Sequence, residues 1–99
     1  MVQERGRIIH NSLRKHRKMM GYTLREVAWL LNLKSAGRLS RWEKGYSYPN
    51  LKNLLKISIA YQTLIDQLYH DYRNELTSDF KARLKSLQVR KKLKSHAEQ

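Results

Sequence analysis

The chain has 99 residues, of which 40% are hydrophobic, and this composition suits one domain with a modest core. It has no cysteine, and its four histidines show no paired spacing, so we expect neither a disulfide nor a metal site. No apolar run approaches the roughly 18 residues of a membrane helix, and the N-terminus lacks a signal-peptide pattern, which favours the cytoplasm and excludes a membrane partner.

The charge of the chain predicts a polyanionic partner. Twenty-one Lys and Arg against eight Asp and Glu give a net charge of +13. Residues 1–50 hold eleven bases and three acids, residues 51–79 three and four, and residues 80–99 seven and one. We therefore expect the two flanks to contact the polyanion, the alternative being a solubilising surface. No glycine-rich phosphate loop or nucleophile elbow is present, so we expect that the protein is not an enzyme and needs no cofactor.

The first two predicted helices lie close together. Helix 1 is predicted over residues 8–20 and is closed by Gly21. Its predicted inner face consists of Ile9, Leu13, Arg17 and Met20. Thr23 and Glu26 match a capping box, which predicts the start of helix 2, ending near Leu31. Residues 32–34 are predicted to turn into the next helix.

Helix 3 is predicted from an N-cap at Ser35 to Lys44, with Gly45 as a left-handed stop. At 3.6 residues per turn, Leu39, Trp42 and Glu43 share the inner face. The predicted outer face carries Lys34, Gly37, Arg38, Arg41 and Lys44. A short helix that is basic outside and fixed inside suits the major groove of DNA.

The C-terminal half is predicted to be helical as well. Asn50 is predicted to cap helix 4, with an inner face of Leu51, Leu54, Leu55 and Ser58. Thr63 and Asp66 are predicted to open helix 5, with Ile65, Leu68, Tyr69 and Tyr72 inward. A cap at residues 77–79 predicts a sixth helix, the alternative being one long helix from Thr63. The basic tail from Arg90 onward is expected to fray.

Two charged residues occupy inner faces. Arg17 lies on the apolar stripe of helix 1, and Glu43 lies on the same face of helix 3 as Leu39. Because an isolated buried charge costs several kcal/mol, the two are most simply partners. The alternative is that either side chain reaches water at the domain edge.

These segments resemble the Cro/phage-repressor (XRE) family of helix-turn-helix transcriptional regulators. The resemblance rests on LRKHRKMMGYTLREVAWLLNL (13–33) and LSRWEKGYSYPNLKNLLKI (39–57), and extends less clearly through YQTLIDQLY (61–69). It implies an all-α fold: a five-helix lambda-repressor-like DNA-binding domain over residues 1–75, followed here by a C-terminal amphipathic helix and basic tail over 76–99. It also implies an arginine–glutamate pair between helices 1 and 3, which matches the pair derived above.

The sequence departs from the family at two places. Leu24 stands where the family usually has a phosphate-bracing glutamine, and one extra residue lies near Gly37. The expected base-reading residues are Arg38 and Arg41, assisted by Ser35, because arginine can grip guanine with two hydrogen bonds. The expected phosphate-binding residues are Thr23, Arg25, Lys34, Lys44, Tyr46, Lys52 and Asn53.

We therefore interpret the chain as a sequence-specific binder of double-stranded DNA, a small homodimeric repressor of bacterial or phage origin. The C-terminal residues Leu76, Phe80, Leu84 and Leu87 are expected to join a partner chain, the alternative being that they fold over the domain. Two other classes remain open. One is an antitoxin-like protein that binds a protein partner as well as DNA, and the other is an RNA-binding or ribosome-associated factor.

Overall fold

The computed structural model describes the backbone of residues 8–97 and the side chains as far as Ser95. Within that range all regular structure is helical, which confirms the expected all-α class. The helices are α1 (Leu13–Met19), α2 (Leu24–Leu30), α3 (Gly37–Glu43), α4 (Leu51–Tyr61), α5 (Ile65–Leu68) and α6 (His70–Ala97). Residues 1–7 of the predicted DNA-binding domain lie outside the described residues, and its expected boundary after residue 75 falls inside α6.

The first five helices close around one core. Each contributes one side chain with no solvent exposure: Leu13, Val27, Leu39, Ile57 and Leu68, from α1 to α5 in order. Burying a side chain of this size stabilises a fold by about 1.5–3 kcal/mol. Five short helices are therefore held by a shared core, since helices of four to eleven residues are too short to be stable alone.

Residues 8–12 form an irregular N-terminal segment, so the prediction that helix 1 begins at residue 8 is wrong, because α1 begins at Leu13. Its backbone groups bond other elements instead: Ile9 N donates to the Gly45 carbonyl at 2.9 Å, and Ser12 N donates to the Leu68 carbonyl at 2.8 Å. Asn11 ends the segment, because its side-chain oxygen accepts a bond from Leu13 N at 3.0 Å. Tertiary hydrogen bonds thus replace the first turn of the predicted helix.

The capping box predicted at the start of α2 is confirmed. Thr23 Oγ1 accepts from Glu26 N at 3.1 Å, and Glu26 Oε1 accepts from Thr23 N at 2.8 Å. The start of α3 differs by one residue from the prediction: Ala36 occupies the N-cap position, although Ser35 Oγ still accepts from Gly37 N at 3.3 Å. All three bonds satisfy amide groups at the starts of α2 and α3 that would otherwise be unpaired.

Gly45 ends α3 as predicted, with a φ of +82°. A Cβ at this position would lie 2.6 Å from Ile8 Cγ2 and 2.7 Å from the Ile9 carbonyl oxygen. Glycine is therefore required both for the left-handed turn and for the close approach of the N-terminal segment.

The cap of α4 is confirmed, since Asn50 Oδ1 accepts from Asn53 N at 2.9 Å, but the predicted inner face is partly wrong. Leu54 and Ser58 are half-buried, whereas Leu51 and Leu55 remain 68% and 47% exposed. The buried stripe consists of Asn53, Ile57 and Tyr61. On this face Tyr61 packs against the Tyr22 ring, with ring centroids 6.3 Å apart.

The predicted start of helix 5 is also wrong. Thr63 belongs to the end of α4, where its N–H donates to the Ser58 carbonyl at 3.1 Å and its own carbonyl accepts from the Ser58 hydroxyl. Leu64 occupies the N-cap position of α5. The predicted inner face holds, with Leu68 and Tyr69 buried and Ile65 and Tyr72 half-buried.

From His70 to Ala97 the chain forms one helix, so the break predicted at residues 77–79 is absent. The basic tail from Arg90 is helical as far as Ala97, and its predicted fraying stays a prediction. Thr77 does not act as a helix N-cap. Its hydroxyl donates instead to the Arg73 carbonyl, one turn earlier in the same helix, at 2.8 Å. Every residue from Arg73 to Ser95 is exposed. The 28 residues of α6 extend about 42 Å at 1.5 Å per residue, which accounts for the 61 Å long axis of the molecule.

Candidate nucleic-acid interface

The outer face of α3 is basic and open to solvent. Arg38, Arg41 and Lys44 are exposed, whereas Leu39 and Trp42 on the opposite face are 0% and 3% exposed. The division between inner and outer residues is the one that the sequence predicts. The inner side chains fix the orientation of the helix, and the arginines therefore project from a rigid support.

A buried ion pair joins α3 to α1, as the sequence predicts. Arg17 Nε donates to Glu43 Oε2 at 2.6 Å and Arg17 Nη2 donates to Oε1 at 3.2 Å, so the pair is bidentate. Arg17 Nη1 donates further to the Tyr22 carbonyl at 2.8 Å. The two side chains are only 8% and 7% exposed. The hydrogen bonds to Glu43 raise the pKa of Arg17 above its ordinary value, so the guanidinium stays charged.

One of the two predicted reading arginines is held by an aromatic ring. The Arg41 guanidinium carbon lies 5.7 Å from the centre of the Tyr46 ring, within the range of a cation–π contact. Tyr46 is in turn placed by its backbone, since its N–H donates to the Arg41 carbonyl at 3.0 Å. The contact places the Arg41 guanidinium beside Tyr46, one of the predicted phosphate-binding residues.

An open groove beside α3 contains residues that the sequence prediction missed. Its lining consists of Arg38, Arg41, Trp42, Ser47, Tyr48, Asn50 and Asn53. Ser47, Tyr48 and Asn50 were absent from the predicted contacts. In the sequence, only their position in the loop between Gly45 and α4, directly after the predicted recognition helix, points to them.

The predicted phosphate-binding residues are distributed around this groove and along α2. Six of them are exposed: Thr23, Arg25, Lys34, Lys44, Tyr46 and Lys52. Asn53 differs, because it is only 8% exposed and lies in the floor of the groove. The Thr23 hydroxyl accepts a bond within the capping box but keeps its own proton available for a phosphate oxygen.

A second basic hollow lies where α1 approaches the start of α2. Its lining includes Arg14, Lys18 and Arg25, together with Thr23 and Leu24. Arg14 and Lys18 lie one turn apart on the exposed face of α1 and were not among the predicted contacts. Their four-residue spacing places two positive charges on one face of α1 beside the capping box.

The four apolar residues expected to join a partner lie on α6, away from this interface. Leu76, Phe80, Leu84 and Leu87 are between 41% and 61% exposed, so they do not fold over the core of the same chain. Among the residues with described side chains, no three His, Asp or Glu lie close enough to share a metal ion. Within residues 8–97, no helix is both long and apolar enough to cross a membrane.

Comparison with known proteins agrees with this geometry. The helix-turn-helix family matches residues 13–68, which is more than half of the chain and includes all five packed helices. Neither a curated protein nor a solved structure matches the chain. The capping box of α2, the outward arginines of α3 and the Arg17–Glu43 pair all lie within the matched segment. The chain belongs to the helix-turn-helix family of DNA-binding transcriptional regulators, in its Cro/XRE branch.

Proposed function

We propose that the protein is a homodimeric repressor that binds a specific double-stranded DNA site with α3 in the major groove. The observation that carries the proposal is the exposure of Arg38 and Arg41 on a helix whose opposite face is buried and ion-paired. An α-helix fits the major groove, where arginine recognises guanine O6 and N7. The N-terminal residues of the recognition helix contact base edges in this class of proteins, and Ser35, two residues before α3, lies at that end of the helix.

Recognition of the base sequence and binding of the DNA phosphates are assigned to different side chains. Arg41 lies midway along α3, where a side chain meets base edges, whereas Lys52 lies in the first turn of α4, where it meets the DNA backbone. Phosphate contacts position a protein on DNA without reading its sequence. We propose that Thr23, Arg25, Lys34, Lys44, Tyr46, Lys52 and Asn53 hold phosphates, joined by Arg14 and Lys18 of the second hollow.

Two substitutions test this division. Arg41→Ala is expected to weaken binding to the cognate site by about 1–3 kcal/mol, with little effect on scrambled DNA, because it removes base contacts. Lys52→Ala is expected to weaken binding to cognate and scrambled DNA about equally, because it removes one phosphate contact. It should also reduce the slope of the logarithm of the binding constant against the logarithm of salt concentration by about one unit. The measurement is a series of binding isotherms on cognate and scrambled duplexes at several salt concentrations. Equal weakening of both duplexes by Arg41→Ala would show that Arg41 contacts phosphate only.

The homodimer is tested by truncation after Thr77. The core lies before this residue, so the truncated chain is expected to fold while losing Phe80, Leu84 and Leu87, three of the four exposed apolar residues expected to join a partner. Self-association and operator affinity should fall together, because the two half-sites are then bound independently. Sedimentation and DNA titration of both chains provide the measurement. A full-length chain that is monomeric at tens of micromolar, with and without DNA, would contradict the dimer.

A protein partner is the second candidate, and one surface favours it. Leu51, Leu55 and Ile59 recur every four residues on α4 and are 68%, 47% and 76% exposed. An apolar row of this kind suits a second protein, as in the antitoxin-like alternative. A stoichiometric partner purified from the native host would support it. Competition between duplex DNA and RNA of equal length separates either role from RNA binding.

A further inference from the structure

We propose that α6 pairs with α6 of a second copy in the antiparallel direction, so that the pair of helices sets the spacing of two DNA half-sites. The proposal rests on the proposed dimeric, DNA-binding function and adds the direction and register of the pairing. Four observations carry it: the exposure of α6, the straight apolar stripe on it, the uneven charge along it and its length.

The stripe suits a second helix. Leu76, Phe80, Leu84 and Leu87 follow one another at intervals of four, four and three residues, a mean close to the 3.6 residues of a helical turn. The stripe therefore runs nearly parallel to the helix axis. All four side chains are at least 41% exposed. An isolated helix gains most of its stability by packing such a face against another element.

Charge along α6 selects the direction. Residues 70–79 hold three acids and one base, whereas residues 81–94 hold seven bases and no acid. Parallel pairing would place one basic segment beside the other. Antiparallel pairing places each basic segment beside the acidic segment of the second copy. The difference in charge thus favours the antiparallel arrangement.

The register follows from the stripe. The apolar residues of both copies come into contact when Leu76 of one copy lies opposite Leu87 of the other, and Phe80 lies opposite Leu84. At 100° per residue, Asp79 and Arg83 lie along the same edge of the stripe. In an antiparallel pair like edges meet, so Asp79 lies near Arg83 of the second copy, within one to two residues of these pairings. Neither side chain forms an ion pair among the described residues of its own chain.

The length of the pair matches the spacing of DNA half-sites. When Phe80 lies opposite Leu84, residue 70 of one copy lies opposite residue 94 of the second copy. Residue 94 is 24 residues along the helix from residue 70 of that second copy. At about 1.5 Å per residue the two helix starts are about 36 Å apart along the axis. Half-sites one helical turn apart are about 34–36 Å from centre to centre. The globular parts thus attach to the pair at a separation suited to consecutive turns of one DNA face.

Disulfide cross-linking tests direction and register on the full chain, because the natural sequence has no cysteine. Chains carrying Leu76→Cys and Leu87→Cys, distinguished by a tag, are oxidised separately and as a mixture. We expect the mixed disulfide and little product from either chain alone. Lys85→Cys, on the opposite side of the helix, is the control and should remain uncoupled. Circular dichroism verifies that each exposed substitution leaves the fold intact.

A charge exchange provides the second measurement. Asp79→Lys or Arg83→Glu alone should weaken self-association by about fivefold, since each creates two like-charge contacts per dimer. Mixing the two variants should restore association, because the mixed dimer regains both opposite-charge contacts. Restoration in the mixture requires a contact between copies, which a purely structural role of either residue would not produce.

Several results would overturn the inference. Disulfides formed by each single-cysteine chain alone would show parallel pairing, and cross-linking of none would show that α6 does not pair. A monomer that binds the cognate DNA specifically would reject the pairing and keep the DNA-binding function. The mixed disulfide in a chain without specific DNA binding would support the pairing and reject the proposed function.

Discussion

Helices α1–α5 and helix α6 contain similar residue types, but these residues are buried in the first region and exposed in the second. In the first region the side chains of Arg17 and Glu43 are about one-tenth exposed and bound to each other. Where the two regions meet, Arg73 of α6 is 63% exposed and lies 3.5 Å from Asp66 of α5, which is 70% exposed. The same pair of charge types is therefore buried between α1 and α3 but solvated at the start of α6.

Leucine shows the same contrast. Leu39 of α3 is fully buried among residues of several helices, whereas Leu84 of α6 is 41% exposed on a helix that contacts no core from Arg73 onward. Helical periodicity alone gives both residues an apolar face. What differs is whether another element of the same chain covers that face. Burial, rather than residue type, decides what each side chain contributes to stability.

The largest predicted effect belongs to the buried pair. Glu43→Ala is expected to lower the free energy of unfolding by about 3–5 kcal/mol, because it leaves the Arg17 guanidinium buried without its carboxylate. Replacing both residues with apolar side chains of similar volume should cost far less. The measurement is urea unfolding followed by circular dichroism.

The exposed pair provides the matched control. Asp66→Ala also removes a carboxylate that lies near an arginine, at 3.5 Å, but its expected cost is under about 0.5 kcal/mol because both charges are hydrated. Comparable losses for Glu43→Ala and Asp66→Ala would contradict the distinction between the buried and the exposed pair.

The second prediction compares one substitution in the two regions. Leu39→Ala is expected to cost about 2–5 kcal/mol, since it leaves a cavity between packed helices. Leu84→Ala should change the unfolding free energy of the dilute monomer by less than about 0.5 kcal/mol, since it lies on an exposed surface. Thermal or urea unfolding at low and high protein concentration separates this intrinsic effect from any contribution of pairing. A loss above about 2 kcal/mol for Leu84→Ala in the dilute monomer would indicate that α6 folds onto its own core.

The sequence predicts best the features that local chemistry determines. Thr23 with Glu26, Asn50 before α4 and Gly45 after α3 each act within a few residues, and each is found as predicted. The Arg17–Glu43 pair is long-range, yet it could be predicted, because two opposite charges on inner faces each need a partner.

The errors arise where distant residues compete with local preferences. Residues 8–12 have a helical pattern, but Gly45 and Leu68 supply their hydrogen-bond partners. The buried stripe of α4 ends at Tyr61, which packs against Tyr22, and helical periodicity alone cannot show such a contact. The cap signal near Thr77 fails because its hydroxyl has a competing acceptor, the Arg73 carbonyl.

The smallest predicted effect concerns a buried hydroxyl in the core. Tyr69 is 9% exposed, and its hydroxyl has no hydrogen-bond partner among the described residues. Tyr69→Phe removes this oxygen while retaining the ring. The free energy of unfolding at neutral pH is therefore expected to stay within about 1 kcal/mol of the parent or to rise slightly. Urea unfolding at pH 7 tests this, and a loss above about 2 kcal/mol would reveal a partner for the hydroxyl.

The same substitution has a sharper signature in alkali. Burial raises the pKa of Tyr69 from its ordinary value of 10.0 to about 12, because ionisation would leave a charge in the core. The unfolded chain therefore loses this proton before the folded chain does, and the stability present below pH 10 is lost as the pH rises towards 12. Burial also raises the pKa of Tyr61, so Tyr69→Phe should reduce, rather than abolish, the loss of stability above pH 10. Unfolding curves of the parent and the variant that fall equally between pH 10 and pH 12 would show that the Tyr69 hydroxyl is hydrated in the folded protein.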